Sequence, residues 1–533
     1  MGKYVIGMDY GTLSLRGVVA DPFTGKMLCE AVEEYPHSIL TEVDGKPLPG
    51  DYALEHPEDY RVCMKKVISR LLKTVKPEDI CGIGIDFTSA TVVALDEKLE
   101  PLCNRPEFAD HPLAYAKLWK HHGATEQAKR IVATAAKRGE TFLSYYGGSV
   151  NAEGGLPKHI ELAEKDPQVY AAAAHLMESG DWLVSLLTGH IVRSYSMASC
   201  NSSYVPGQGY PSREFMQELS PAAANVADKL TGPTANIGEK AGELTQDAAA
   251  WLGLQPGIAV AGCNIDSHAP FPACGASEVG DVNLVLGTSG IVMLLGTESE
   301  GIPCCYSTAP DALLPGLWGY ESGQSSVGDS FAWFAQHACG QEDVAQAREK
   351  GVPLQVHLTE KAAQIAPGKN GILVLNYLNG QRAPVMEPGL SGAIFGLRLS
   401  TRPHHIYRGF LESVAMETRL IMETMEQQGQ SCKRIFAAGG IPAKNPLLMQ
   451  IMADMLGREI VVCGQKEASA WGSAMTAASA AGLMTLREAM ANMTPPPRCV
   501  YAPQNPGAYE TTYARYKALA KEFSQPDSVL KEL

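Results

Sequence analysis

The stretch KYVIGMDYGTLSLRGVVA, residues 3–20, decides the fold prediction. An apolar run leads into Gly11 and Thr12, and a second apolar run leads out, which predicts a β-hairpin with a short polar turn. Such a turn directs backbone N–H groups and small hydroxyls at one point, an arrangement that suits a phosphate chain. Residues 281–296, DVNLVLGTSGIVMLLG, repeat the pattern in the other half of the chain. Two such hairpins predict a nucleotide held between two related domains.

Length and composition indicate a globular protein with two domains. The 533 residues exceed what one hydrophobic core usually holds, and an apolar run at 258–263 suggests a division into domains 1–257 and 258–533. The net charge is −14 and the basic residues are scattered, so nucleic-acid binding is not expected. The chain starts with a predicted strand and has no apolar run of about 18 residues, so neither a signal peptide nor a membrane span is expected.

The cysteines indicate the compartment. There are 13 of them, with no CxxC pair and no zinc-site spacing. Without a disulfide framework, a reducing environment is favoured, and we expect a cytoplasmic protein.

Predicted strands and helices alternate along the chain, which is typical of an α/β fold. The first half is expected to hold strands at 5–8, 17–20 and 80–86, helices at 57–75, 112–123, 157–164 and 181–188, and an irregular segment at 197–234. The second half is expected to hold the hairpin at 281–296, helices at 404–428, 446–456 and 468–481, and strands at 434–438 and 459–463.

The first hairpin carries groups suited to phosphate and metal binding. Asp9 ends the first strand, and a carboxylate there is a candidate for Mg²⁺, usually through water, because Mg²⁺ dehydrates reluctantly. Thr12 and Ser14 supply hydroxyls, Gly11 lets the backbone approach closely, and Arg16 could pair with phosphate oxygens. An ordinary hairpin turn is the alternative interpretation of this segment.

A carboxylate between the two hairpins is the candidate catalytic group. Asp266 follows a predicted strand in the segment GCNIDSHAPFPACG, about twenty residues before Gly287 and Thr288 of the second turn. In that place it could take a proton from a substrate hydroxyl beside the transferred phosphate. The alternative is that Asp266 caps a helix.

Two adjacent glycines are further candidate nucleotide contacts. Gly439 and Gly440 follow a predicted strand in AAGGIPAKN, where glycine permits close approach to a flat ring or a phosphate. A plain strand-to-helix turn is the alternative. The sequence has no GxxxxGK[ST] motif and no GxGxxG motif after a strand, which excludes a P-loop and disfavours a Rossmann cofactor site.

Together, DYGT, GCNIDSHA, LGTSG and AAGGIPAKN resemble the FGGY carbohydrate kinases, which belong to the actin-like ATPase superfamily. Residues 409–424, GFLESVAMETRLIMET, resemble that family's second signature. Within the family, residues 82–91, 112–124, 178–189 and 314–334 are most similar to the bacterial ribulokinase subgroup. The resemblance covers nearly the whole chain.

The resemblance implies two ribonuclease-H-like domains flanking a deep cleft, with sugar bound deep against the first domain and ATP against the second. It implies ATP-dependent phosphorylation, with Mg²⁺, of the primary hydroxyl of a ketopentose such as L-ribulose. It also implies a homodimer. By position, it implies these roles: Asp266 as base and sugar contact; Glu321 as sugar contact; Asp9 as the Mg²⁺-associated carboxylate; Thr12 near the γ-phosphate; Gly287 and Thr288 as the second phosphate turn; and Gly439, Gly440 and Asn445 at the adenosine.

Two positions depart from the subgroup's pattern. Ser89 stands where an alanine is typical, and Asn201 stands where a lysine is typical, and both are expected to contact the sugar. Losing a charge-assisted donor is often worth about 1.5–3 kcal/mol, so the preferred sugar could differ from L-ribulose. The alternatives are therefore D-ribulose, a xylulose or a pentitol, and, from other classes, an actin-like ATPase acting as a chaperone or assembly protein, or a catalytically inactive sugar sensor.

Overall fold

A computed structural model describes residues 3–298, 300–387, 389–525 and 527–531. The first sheet contains the strands β1 (Tyr4–Tyr10), β2 (Ser14–Asp21), β3 (Lys26–Glu34), β4 (Ile80–Phe87), β5 (Lys240–Glu243), β6 (Ala259–Ala261) and β7 (Asn264–Ile265). Its order is β5-β6-β4-β1-β2-β3, and β7 also pairs with β4. The strands β1, β2 and β3 are antiparallel, whereas β4 runs parallel to β1 and β6 runs parallel to β4.

The second sheet repeats this arrangement. It contains β8 (Asp281–Leu286), β9 (Gly290–Gly296), β10 (Ser307–Pro310), β11 (Trp318–Gln324), β12 (Arg434–Ala438), β13 (Ile460–Val462) and β14 (Cys499–Tyr501). Its order is β10-β11-β9-β8-β12-β13-β14, with β8, β9 and β11 antiparallel and β12 and β13 added in parallel. Three antiparallel strands followed by two parallel ones form the ribonuclease-H-like core, so the predicted pair of such domains is confirmed.

Helices cover these sheets. The helices used below are α1 (Pro57–Leu71), α2 (Gly155–Lys165), α3 (Ser179–Thr188), α4 (Tyr195–Asn201), α5 (Pro403–Gln427), α6 (Pro446–Leu456) and α7 (Ala468–Ala480). The other α-helices are Thr125–Arg138, Phe142–Tyr145, Pro167–Ala172, Arg213–Leu219, Val226–Leu230, Gln246–Leu252, Pro270–Ala273, Gly328–Trp333, Gln341–Lys350, Leu354–Ala362, Gly440–Lys444, Leu486–Met493 and Glu510–Phe523. Shorter strands are Ile39–Leu40, Glu42–Val43, Lys46–Pro47, Leu54–Glu55, Val92–Leu95, Ala116–Lys117, His175–Glu178, Arg193–Ser194, Thr234–Ala235, Leu373–Leu375 and Ala393–Phe395.

The Ala-rich helix α7 joins the two halves. It follows β13 of the second sheet but packs on β1 and β4 of the first sheet. A Cβ on Gly7 would lie 1.9 Å from the carbonyl oxygen of Ala470, and one on Gly84 would lie 2.0 Å from that of Ser473. Only glycine leaves room for this approach, so the small residues of both elements fix how the halves meet and where the cleft forms.

The end of the first domain lies later than predicted. The strands β6 and β7 both pair with β4, although they follow residue 257. We therefore place the boundary between Ile265 and Asp281 rather than at 257/258.

Two sequence-based expectations about local structure are wrong. Residues 112–123 do not form a helix: a single 3₁₀ turn, Pro112–Ala114, leads into the strand Ala116–Lys117, which pairs with Leu54–Glu55. Sheet pairing there outweighs the helical spacing of the apolar residues. The segment 197–234 is not irregular, because it contains α4 and two further short helices. Serines cap two of these three helices, with Ser194 Oγ accepting from Met197 N and Ser212 Oγ accepting from Phe215 N.

Candidate active site

The first hairpin places a carboxylate and a guanidinium at one end of the first sheet. Asp9 lies near the end of β1 and is buried, and Arg16 Nη1 lies 3.6 Å from its Oδ2. The Nε of Arg16 lies 3.5 Å from Oε2 of Glu467, the residue before α7. Burial raises the pKa of Asp9, and the charge of Arg16 opposes that rise. A cation therefore stands between two carboxylates at the junction of the halves.

A second carboxyl group stands beside Asp9. Asp86 is its neighbour in the parallel register of β1 and β4, and it is fully buried. Ser473 of α7 donates a hydrogen bond of 2.5 Å to Asp86 Oδ2. Burial, followed by the negative charge of Asp9, raises the pKa of Asp86 well above its ordinary value. The sequence analysis missed this residue, although its place at the end of a parallel strand next to Asp9 was a readable signal.

The turn itself is compact. The backbone N–H of Gly11 donates to the carbonyl of Ser14 over 3.1 Å, and Ser14 is buried at the start of β2. The hydroxyl of Thr12 accepts a 3.2 Å hydrogen bond from the indole N–H of Trp119. Trp119 lies in the segment that had been expected to be helical, and it fixes the Thr12 side chain at the edge of the turn.

The second turn opens onto unfilled space. Gly287 N–H donates to the carbonyl of Ser289, and the carbonyls of Gly287 and Thr288 accept hydrogen bonds from Gly328 N–H and Val327 N–H. A Cβ on Gly287 would meet nothing within 4 Å. Hydrogen bonds to its carbonyls therefore hold this turn in place, and the side on which a Gly287 Cβ would lie is open to a ligand.

The paired glycines emerge beside that turn. Because β8 and β12 run parallel and side by side, Gly439 and Gly440 follow β12 at the same edge at which Gly287 follows β8. Gly439 has φ +99°, and a Cβ there would lie 2.6 Å from the carbonyl of Leu286, so its glycine is required by backbone packing. A Cβ on Gly440, by contrast, would meet nothing within 4 Å. Gly287 and Gly440 therefore border open space at one sheet edge.

Asn445 has a structural role at the start of α6. Its Oδ1 accepts a 3.0 Å hydrogen bond from Leu448 N–H, which caps the helix. This contact uses the amide oxygen of Asn445 and not its Nδ2.

Asp266 lies between the two halves. Its N–H donates to the carbonyl of Phe87 at the end of β4, and its own carbonyl accepts from Ser469 Oγ of α7. Burial, then the charge of Asp9 and, more weakly, that of Glu321 raise the pKa of Asp266 to about 8. Asp9 belongs to the first sheet and Glu321 to the second, so the negative charges of both sheets contribute to this raised pKa.

The helix-cap interpretation of Asp266 does not hold. Its Oδ1 accepts from the N–H of the next residue, Ser267, over 2.7 Å. The following helix, Pro270–Ala273, starts four residues later with Ala269 at its cap position. The carboxyl group of Asp266 is thus not used to cap a helix.

Glu321 is held by two residues that the sequence analysis missed. On β11, its Oε2 lies 3.0 Å from His268 Nε2, and its Oε1 accepts a 3.2 Å hydrogen bond from Tyr306 OH. The Nδ1 of His268 in turn donates to the carbonyl of Ala312 over 3.0 Å. His268 is two residues after Asp266, so this contact joins the candidate base to the candidate sugar-contacting carboxylate.

Ser89 and Asn201 contact each other directly. Ser89 Oγ donates a 2.8 Å hydrogen bond to Asn201 Oδ1, and Asn201 Nδ2 donates a 3.1 Å hydrogen bond to Glu178 Oε1. Ser89 comes two residues after Phe87, whose carbonyl binds the Asp266 backbone. The structure therefore brings the two positions that depart from the subgroup's pattern next to each other and close to Asp266.

The donor set for a metal is small. Within the described ranges, no group of three or more His, Cys, Asp or Glu side chains is arranged to hold a metal ion. Asp9 with Asp266 nearby fits Mg²⁺, which proteins commonly hold with one or two carboxylates while substrate phosphates and water complete its shell. Across the same ranges, no helix combines the length and the apolar character needed to cross a bilayer.

Two sheets of one topology, with phosphate-type turns and a group of carboxylates where they meet, define a two-domain protein of the ATPase-like α/β class. The comparisons with known proteins agree. The N-terminal and C-terminal domain models of the FGGY family of carbohydrate kinases match residues 4–271 and 282–481, and the chain belongs to this family. It is therefore an ATP-dependent sugar kinase, as the sequence analysis predicted.

Close relatives are known over the full length. A ribulokinase from Bacillus licheniformis is 40% identical over 98% of this chain and 97% of the relative. A ribulokinase from Mycolicibacterium smegmatis is 40% identical over 100% of this chain and 96% of the relative. The crystal structure of xylulose kinase from Rhodospirillum rubrum superposes with a TM-score of 0.79 at 23% identity, covering 97% of this chain and 98% of that one, which supports the fold.

Proposed function

We propose that this kinase transfers the γ-phosphoryl group of ATP to the primary C5 hydroxyl of a ketopentose, with L-ribulose as the preferred sugar. One observation carries the proposal: Asp266 lies at the junction of the halves, where its N–H donates to the carbonyl of Phe87 at the end of β4 and its own carbonyl accepts from Ser469 Oγ of α7. A proton acceptor in that place can face a sugar hydroxyl on one side and a phosphate chain on the other. The relatives named ribulokinase support the choice of sugar.

In the proposed mechanism, Asp266 accepts or orients the proton of the attacking hydroxyl as the oxygen approaches phosphorus. Glu321, held by His268 and Tyr306, accepts hydrogen bonds from other sugar hydroxyls and so sets the sugar's orientation. Catalysis of phosphoryl transfer depends mainly on positioning and on electrostatic stabilisation of the transferred group. Closing the cleft excludes water, which would otherwise compete as acceptor.

The nucleotide is proposed to lie along the edge formed by the two turns of the second sheet. Gly287 and Thr288 would face phosphates, and Gly440 with Asn445 Nδ2 would face the adenosine, because both glycines border open space. From the first hairpin, Gly11, Thr12, Ser14 and Arg16 would approach the terminal phosphate. Asp9 would hold Mg²⁺ through water, and the ion would supply positive charge against the transferred phosphate.

Ser89 and Asn201 favour a second candidate, the same reaction on another sugar. The side chain of Asn201 lacks the charge of the lysine that is typical at its position. D-Ribulose, a xylulose or a pentitol is therefore the alternative to L-ribulose. Chaperone-like and purely sensing roles receive no support from the geometry.

A coupled ADP-release assay over a panel of ketopentoses and pentitols tests the substrate. We expect the highest kcat/KM for L-ribulose. A kcat/KM at least tenfold higher for another member of the panel would contradict this choice while leaving the kinase assignment intact.

The proposal extends to the compartment and the oligomeric state of the enzyme. All 13 cysteines are free in the structure, which favours a reducing compartment, and we propose a cytoplasmic enzyme. We also propose a homodimer by analogy with the family, and sedimentation of the purified protein tests it.

A further inference from the structure

An ion pair that the mechanism above does not use joins the two halves. Glu153 lies just before α2 in the first half, and its Oε2 lies 3.0 Å from Nη2 of Arg382 in the second half. Only 23% of the Glu153 side chain and 15% of the Arg382 side chain are exposed. Burial alone would raise the pKa of Glu153, but the charge of Arg382, followed by a contact with His122, brings that pKa below its ordinary value. Glu153 is therefore a carboxylate that faces a permanent cation.

The backbones of the two halves meet closely beside this pair. Gly147, six residues before Glu153, has φ +63°, and a Cβ there would lie 2.6 Å from the carbonyl oxygen of Cys305. The same Cβ would lie 2.3 Å from the methyl group of Met386, four residues after Arg382. The ion pair thus belongs to a packed contact between the halves and not to a free surface.

On the first half, the pair is anchored to the wall that carries Asn201. A Cβ on Gly154 would lie 3.4 Å from the carbonyl oxygen of Asn201, and one on Gly155 would lie 3.5 Å from the same oxygen. Asn151 Oδ1 accepts a 3.0 Å hydrogen bond from the N–H of Glu153, which fixes the backbone just before α2. Glu153 is therefore held against α4, the helix that ends at Asn201.

On the second half, Arg382 leads to the other wall of the sugar site. Its guanidinium carbon lies 5.5 Å from the centre of the Tyr306 ring, within the range of a cation–π contact. The Tyr306 hydroxyl lies 3.2 Å from Glu321 Oε1 and 3.2 Å from the carbonyl oxygen of Ser322, so these two acceptors share its proton. Burial and the charge of Glu321 raise the pKa of Tyr306, and the charge of Arg382 opposes that rise. Arg382 thus acts on the residue that holds Glu321.

We propose that Arg382 is a positioning residue that links the contact between the halves to the sugar site, by pairing with Glu153 and holding Tyr306 against Glu321. Glu321 then takes its sugar-binding orientation only when the two halves meet at Glu153. The inference rests on the proposed function in one respect, that Glu321 contacts the sugar. It adds a chain of contacts through which an ion pair that touches neither substrate controls the affinity for sugar.

A double-mutant cycle on the full-length enzyme tests this link, using the sugar that gives the highest kcat/KM in the panel. Glu153→Ala removes the contact with Arg382, and Tyr306→Phe removes the hydroxyl but keeps the ring. Each is expected to raise the KM for sugar about three- to tenfold, while kcat and the KM for ATP stay within about twofold. In the Tyr306→Phe background, Glu153→Ala is expected to change the KM for sugar by less than about twofold, because both residues act through one chain of contacts.

Glu30→Ala is the matched control. Glu30 of β3 also pairs with the other half, its Oε1 lying 3.3 Å from Nζ of Lys466, but Lys466 leads on to Glu467 instead of to Tyr306. This variant should leave the KM for sugar unchanged. Additive effects of Glu153→Ala and Tyr306→Phe, an equal rise in Glu30→Ala, or an unchanged sugar KM in a folded Glu153→Ala protein would each overturn the proposal.

Substitutions of Arg382 itself cover the case in which Glu153→Ala does not fold. Arg382→Lys keeps a positive charge near Glu153 and Tyr306 and should hold the KM for sugar within about threefold, whereas the uncharged Arg382→Met should raise it about tenfold. Equal KM values for these two variants would overturn the inference. A wild-type chain that prefers another sugar would contradict only the proposed substrate, because the cycle can still be measured with that sugar.

Discussion

Replacing Asp266 by asparagine should lower activity and raise stability at the same time. The substitution keeps the size of the side chain and removes its charge and its proton-accepting oxygen. If Asp266 is the base, kcat should fall by about 10²–10⁴-fold, the usual contribution of a positioned acid or base. The KM for sugar should change little, because Glu321, Ser89 and Asn201 remain.

The stability effect follows from the raised pKa. The pKa of Asp266 in the folded protein is about 8, against an ordinary value of 3.8. When the pKa of a carboxyl group is higher in the folded protein than in the unfolded one, the group stabilises the folded protein fully at a pH below its ordinary pKa. This stabilisation is lost as the pH rises toward 8. Asparagine has no charge to desolvate, so the variant should unfold at a higher temperature at pH 8 and at nearly the same temperature at pH 4.

The size of that effect can be bounded. Four pKa units correspond to about 5–6 kcal/mol, but the Asp266 side chain is partly exposed, so solvent screening reduces the gain to about 1–3 kcal/mol. For a domain of this size, the gain raises Tm by roughly 2–5 °C. Thermal unfolding by circular dichroism at both pH values, together with steady-state kinetics, measures both parts. Asp247→Asn, at an exposed position, is the control. Full activity in Asp266→Asn, or a lower Tm at pH 8, would refute the reasoning.

Three further predictions follow from the same site. Gly440→Ala should raise the KM for ATP about tenfold and change the KM for sugar little, because the added methyl group enters the space left for the nucleotide. Gly50→Ala, on open surface, is the control and should change neither KM. Equal KM values for ATP in the two variants would contradict the nucleotide placement. Asp9→Asn should raise the Mg²⁺ concentration for half-maximal rate, with partial recovery at high Mg²⁺; an unchanged Mg²⁺ titration would remove Asp9 from the metal site. In the wild type, kcat/KM should rise about tenfold per pH unit between pH 5.5 and 7 and level off near 8, because Asp266 must be ionised to act; a rate that falls with rising pH over this range would exclude Asp266 as base.

Much of the fold could be predicted from the sequence, because the strands and turns that form it are contiguous segments with recognisable local patterns. Each Gly-Thr hairpin is a contiguous segment, and its apolar runs identify the strands on either side. Asp266 could be found because it follows a strand directly, and the ends of parallel strands meet at one edge of a sheet. The helix expected at 468–481 is likewise confirmed as α7, which packs closely on Gly7 and Gly84.

The supporting residues could not be predicted, because tertiary packing brings them in from distant elements. Lys158 binds the carbonyl of Ala90, 68 residues away along the chain, and Glu178 accepts from the amide of Asn201, 23 residues away. Nothing in their local sequence indicates these contacts. Glu467 reaches Arg16 only because α7 crosses from the second sheet to the first. Residues 112–123 have helical spacing, yet pairing with neighbouring strands decides their structure.

The most direct test of the account is to identify the product. The purified enzyme is mixed with MgATP and L-ribulose, and ADP formation is compared with sugar phosphate by phosphorus NMR. The account predicts one sugar phosphate per ADP, with the phosphorus coupled to the C5 carbon, and no ADP without sugar. Sustained ATP turnover without a sugar acceptor, or phosphate on a secondary hydroxyl, would contradict it.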